Sequence, residues 1–239
     1  MPPRARVSRS RLTSPELDDV PAPSAHSAAT RKKVAPRSRA LSVGTLEQLG
    51  ARTLAELLMA AAQTDTALAR SLRLALAGMD GAGRLAAEVE KRLRTIARSK
   101  GFIAWERVRP LARELDGLRE TIAGPLAASD PRAAVTQMRL LLGLGAGVFE
   151  RSDDGSGTLG EAFRQAGAAL GRLWGLVEDR DPLALAAELL ALLDADNYGV
   201  TDYLLAAASP ALGPAGRGEL RRLLHAGAAR QAAAPARSG

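Results

Sequence analysis

Apolar residues in the middle of this chain recur at the steps of three and four that a helix requires. Leu85, Val89, Leu93 and Ile96 form one such stripe, and Leu111, Leu115, Leu118 and Ile122 form another. A period near 3.6 puts each set on one face of a helix, and no segment shows the strict alternation and β-branched enrichment that a strand requires. The fold class this predicts is all-α.

Helix starts and stops can be assigned from capping chemistry. Thr45 with Gln48, Thr53 with Glu56, and Thr158 with Glu161 match the spacing of a capping box, so a helix is expected to begin at each threonine, with two short helices around Gly50. Asp65 is expected to cap a helix bearing Leu68, Leu72 and Leu76 that Gly78 closes in the left-handed conformation. A break is placed just before Pro110, and Gly124-Pro125 ends or bends the following helix. Asp130-Pro131 reads as cap and first position of a helix carrying Val135, Met138, Leu142 and Val148, and Asp181-Pro182 does the same for Leu183 to Leu193. Phe163, Leu170, Leu173 and Val177 mark a helix between those two. Thr201 or Asp202 starts a short helix ending near Pro210, and Leu220, Leu223 and Leu224 mark the last. Short turns between such helices predict stacked antiparallel amphipathic neighbours, a helical-hairpin or α-solenoid-like repeat.

Charge and proline define the ends. Residues 1–44 hold six of the thirteen prolines and nine Lys or Arg against three carboxylates, a net of +6 that leaves only +1 of the chain's +7 for residues 45–239. That composition has too little apolar surface to offset ordering entropy, so a disordered basic tail over 1–44, a helical domain over 45–228 and a second disordered tail over 229–239 are expected.

The residue inventory removes most site chemistry. With no cysteine there are no disulfides, thiolate metal sites or cysteine nucleophiles, which fits a reducing, cytoplasmic setting. The two histidines, His26 and His225, stand far apart in the sequence, too few for an imidazole-based triad or metal centre. Glu188 interrupts the apolar run Leu183–Leu193, which is well short of the ~20 residues that span a bilayer, and no apolar run follows the N-terminal arginines, so neither a membrane span nor a secretory signal is expected. Gly143-Leu144-Gly145-Ala146-Gly147 lacks the preceding strand of a dinucleotide site. Gly143 and Gly147, like Gly167, Gly171 and Gly175, are four apart, which suits close approach of helix axes. Trp105 and Trp174 fall on apolar registers and are expected in the core.

The densest polar constellation is the stretch containing Glu150, Arg151, Asp153, Asp154, Ser156 and Gly157. Its adjacent carboxylates could take a divalent cation or act as an acid/base pair, but neither register from Asp153 or Asp154 reproduces a calcium loop, and each charge also suits a helix end. Arg31, Lys32, Lys33, Arg37 and Arg39 could contact nucleic-acid phosphates, with no interleaved aromatic to stack on bases.

Thr45-Leu46-Glu47-Gln48-Leu49-Gly50 through Leu54-Ala55-Glu56-Leu57-Leu58, then Arg92-Leu93-Arg94-Thr95-Ile96-Ala97-Arg98-Ser99 with Phe102 and Trp105, then Phe149-Glu150-Arg151 with Asp153-Asp154 and Ser156-Gly157, together resemble a bacterial all-helical family, domain of unknown function 6880. The likeness spans about residues 42–225. It implies an all-α, repeat-like protein of the bacterial cytoplasm with no assigned activity, in a family whose members often run longer at the C-terminus, and it adds no catalytic residues; no cofactor is expected. The expected function is a non-enzymatic scaffold with a protein or peptide partner. The alternatives are a metal-assisted hydrolase or transferase using Asp153 and Asp154, and nucleic-acid association through the tail.

Overall fold

The computed structural model describes residues 40–233, with side chains through 229. The candidate nucleic-acid contacts Arg31, Lys32, Lys33, Arg37 and Arg39 lie outside the described residues, as do His26 and residues 234–239. The chain divides into a unit ending at Gln48 and a unit from Leu49 onward.

In the first unit, α1 (Val43–Glu47) opens with a capping box, but its members differ from those expected. Ser42 is the N-cap and Thr45 the third residue, so Thr45 closes the box with Ser42 and not with Gln48.

The second unit is entirely helical among the described residues apart from turns and one isolated bridge, Ile103 to Ser152. Helix α2 (Ala51–Thr64) starts from Gly50 at φ 80°, placing Thr53 inside the helix and leaving no cap for it to supply. Asp65 does cap α3 (Thr66–Met79), accepting from the amides of Ala67 and Leu68. Gly78 does not end α3. The left-handed residue is Gly81, at φ 108°, which opens α4 (Ala82–Arg98). On α3, Ala77 and Leu74 face the core, while Leu76 at the end of the expected stripe is 63% exposed.

The α4 stripe Leu85, Val89, Leu93 and Ile96 is buried as its spacing requires, each side chain contributing on the order of 1.5–3 kcal/mol. Helix α5 (Trp105–Thr121) runs through Pro110 without the expected break. Proline near a helix start removes a single i→i−4 bond, and the first turn tightens where the Arg107 amide donates to Ala104. Trp105, at the first position of α5, is 69% exposed, against the expectation of core packing, because no neighbouring element covers that end. At Gly124-Pro125 the helix changes pitch in a π-helical turn (Ile122–Leu126) that leads into α6 (Ala127–Ser129).

Asp130 caps α7 (Pro131–Leu142), which stops before Val148; that residue belongs to α8 (Gly145–Phe149). Helix α9 (Thr158–Trp174) is the centre of the core: Leu159, Phe163, Leu170, Leu173 and Trp174 are buried, and it packs against α5, α7 and α11. Its N-cap is Gly157, so Thr158 and Glu161 do not form the expected box. Asp181 caps α10 (Pro182–Asp194) as expected. Helix α11 (Leu204–Ala233) is two helical segments meeting at a kink at Gly213 (φ 57°), so the expected short helix and last helix are both present, the first starting at Leu204 instead of Thr201 or Asp202 and running past Pro210. It remains helical beyond 228, where the sequence reading places a tail.

The glycine pairs resolve unequally. A Cβ on Gly171 would sit 2.7 Å from Ala207 Cβ, and one on Gly167 would sit 2.9 Å from the Val200 carbonyl, so these two admit α11 onto α9. Gly143 and Gly175 close α7 and α9, and Gly147 faces open space, so none of the three serves a helix crossing. No helix among the described residues is long and apolar enough to cross a membrane.

Candidate functional site

The polar loop after α8 is built mostly from interactions that hold the fold. The Ile103 amide donates to the Arg151 carbonyl at 2.7 Å and the Asp153 amide donates to Ile103 at 3.1 Å, which stitches the loop to the linker before α5. Arg151 does not serve the helix preceding it. Its guanidinium reaches across to the Gly101 carbonyl at 2.9 Å and the Ile96 carbonyl at 3.2 Å, satisfying acceptors at the C-terminal end of α4. The Asp154 carboxylate accepts from the Gly160 amide at 3.0 Å and so caps the first turn of α9, as its charge there predicts. Ser156 and Thr158 share a hydroxyl contact of 2.7 Å, and Gly157 takes φ 69°, a conformation glycine adopts without steric cost.

Of the sequence candidates, then, Arg151 and Asp154 are engaged structurally, while Glu150 and Asp153 are exposed. Among the described residues no group of three or more His, Asp or Glu side chains is arranged to hold a metal ion.

Beside this loop lies a groove of about 1360 Å³ lined by α3, α4, α5, the 99–104 linker and Arg151. Its walls follow from α4 packing on α3 and α7 and α5 packing chiefly on α9. Leu74, Ala82, Leu85, Pro110, Leu111 and Leu118 supply apolar lining, and Phe102 stands at the linker end, 71% exposed.

Five arginines line the groove (Arg70, Arg92, Arg107, Arg113 and Arg151) against two carboxylates, Asp65 and Glu114. Glu114, only 16% exposed, ties the sides together. Arg92 of α4 donates to both its oxygens, with the Nη2 contact at 2.9 Å, and Arg70 of α3 lies 3.5 Å away. With Arg151 committed to carbonyls, Arg107 and Arg113 remain as exposed guanidinium groups that make no hydrogen bond or ion pair to a described residue.

Sequence reasoning missed this groove. Phe102 and Trp105 flanking a helix start were a usable signal, since two aromatics beside Gly101 on a chain so poor in them stand out, but helical register alone assigned Trp105 to the core.

A second polar cluster lies on α9. Hydrogen bonding from Gln165 at 2.7 Å, and from Arg164, holds the Glu161 carboxyl below its ordinary value against the opposing effect of burial. The Tyr203 hydroxyl reaches the same carboxylate at 3.4 Å and Arg164 lies over its ring, so this cluster is closed on itself, linking α9 to the segment before α11.

A family model described as a family of unknown function (DUF6880) matches residues 36–238, enclosing the span read from the sequence motifs. No curated protein and no solved structure matches the chain.

Proposed function

The chain belongs to the family of unknown function DUF6880, and from that membership and its all-helical body we propose that it is a non-enzymatic scaffold of the bacterial cytoplasm that binds a protein or peptide segment. The groove between α3, α4 and α5 is the binding surface. One observation carries this reading: at about 1360 Å³ the groove exceeds the roughly 300–1,000 Å³ of sites that enclose small molecules. An apolar lining with an exposed aromatic and exposed arginines at its edge matches the residue types that anchor protein interfaces.

The test is site-directed photocrosslinking. A photoreactive phenylalanine analogue incorporated at Phe102 should give a discrete peptide or protein adduct in bacterial extract, and the same analogue at exposed Leu224 of α11 should not. Identical adducts from both positions, or none from position 102, remove the reading.

A further inference from the structure

The geometry points to an acidic peptide, one carrying several Asp or Glu side chains beside an apolar anchor, as the occupant of the α3–α4–α5 groove. This rests on the scaffold reading and specifies its partner.

The argument is charge complementarity. Of the arginines that line the groove, three are neutralised or committed within the fold: Arg70 and Arg92 by Glu114, and Arg151 by the Gly101 and Ile96 carbonyls. Arg107 and Arg113 are not, and both project from α5 at the groove with no carboxylate opposing them. They lie roughly 9 Å apart along the helix axis and about 120° apart around it, two separate points of positive charge on one helix. A bound carboxylate at each would form charge-assisted hydrogen bonds of the kind Arg makes best. Phe102, exposed beside the Arg107 end, offers the apolar anchor its surface.

A nucleic acid suits the groove less well. Glu114 and Asp65 line it, and of its lining residues only Phe102 could stack on a base.

The experiment selects a sequence-unbiased library of displayed 12-residue peptides on the full-length protein, then titrates the enriched peptides, fluorescently labelled, by anisotropy. The expected result is enrichment of net-negative peptides. Their affinity should fall at least about tenfold both in the Arg107→Glu/Arg113→Glu variant and when the peptide's own Glu residues become Gln, and it should weaken at higher salt. Both side chains altered in the protein are exposed, and the peptide-side substitution tests the same contact without touching the fold.

Neutral or basic peptides that lose binding in Phe102→Ala would overturn the acidic partner and leave the scaffold standing. No enrichment, or binding indifferent to both variants, overturns both. A labelled 12-mer oligothymidylate that binds wild type and outcompetes every peptide, but loses affinity in the double arginine variant, reassigns the groove to nucleic acid and overturns the proposal.

Discussion

At the scale of single residues, the glycines of this chain divide by what surrounds them, and the division makes opposite predictions for one substitution. In Gly171→Ala the new Cβ would meet Ala207 Cβ and the Ala208 amide, both at 2.7 Å, and a backbone atom cannot swing aside. Overpacking of that kind costs about 3 kcal/mol and should lower Tm by roughly 6–10 °C in a domain of this size. Gly147→Ala meets nothing within 4 Å and should raise stability by about 0.5–1 kcal/mol. Thermal melts followed by circular dichroism separate the two, and equal shifts would show that α9 and α11 do not approach as closely as described. Asp196 makes the pH-dependent case. Burial alone would raise its pKa, but hydrogen bonds from the Thr201 hydroxyl (2.6 Å) and from the amides of Thr201 and Tyr198 outweigh this and hold it below the usual aspartate value. Because the folded pKa lies below the unfolded one, the stabilisation is complete above about pH 4 and is lost as pH falls through the folded value. Asp196→Asn should therefore be less stable than wild type by about 1–2 kcal/mol at pH 7, with the gap closing below about pH 4. A gap of the same size at pH 7 and pH 3 would contradict this.

At the scale of elements, the Glu114 bridge and the helix boundaries show what local sequence can and cannot specify. Glu114→Gln leaves the guanidinium groups of Arg70 and Arg92, each partly shielded from water, without their shared charge partner. The expected loss is about 1–3 kcal/mol, discounted for the solvent that still reaches the arginines. The control is Glu56→Gln on α2, whose partner Arg52 is 93% exposed; that pair should contribute close to nothing. Comparable destabilisation by both would mean that Glu114 does not couple α3, α4 and α5. The boundaries at Asp65, Asp130 and Asp181 were readable because an aspartate carboxylate and, in two cases, the following proline act within one turn. The threonine boxes at 53 and 158 were misread because the same Thr-x-x-Glu spacing also arises inside a helix, where the hydroxyl has no free amide to accept from. Gly50 and Gly157 start those helices instead, using positive φ. In the loop after α8, Asp154 at the start of α9 was legible as helix electrostatics, but the reach of Arg151 to α4 joins residues about fifty positions apart and leaves no local trace.

At the scale of the whole molecule, burial is distributed unevenly along the chain, and this bears on where the proposed groove sits. A continuous core of buried residues runs from Ala77 to Leu220 with α9 at its centre, whereas α2 buries none of its residues and carries Leu57, Leu58 and Met59 exposed. Leu54, Leu57 and Leu58 of α2 also fall at helical spacing, so periodicity is compatible with a helix there without telling whether the core would use it. Burial and the groove both depend on which helices stack, which is not a property of one segment. The consequence for stability is a gradient. Amides in α9 should exchange with solvent only on global unfolding, and those in α2 through local openings that cost little, with α3 between them because only its Leu74 and Ala77 side meets the core. Hydrogen exchange followed by mass spectrometry at peptide resolution measures this directly, with protection expected to rise from α2 through α3 to α9. Slow exchange of α2 at the rate of α9 in the protein alone would mean that its apolar face is covered by something the isolated chain supplies. Fast exchange that slows on adding a groove-binding peptide would place α2 and α3 in the bound surface, since α3 already forms one side of the groove.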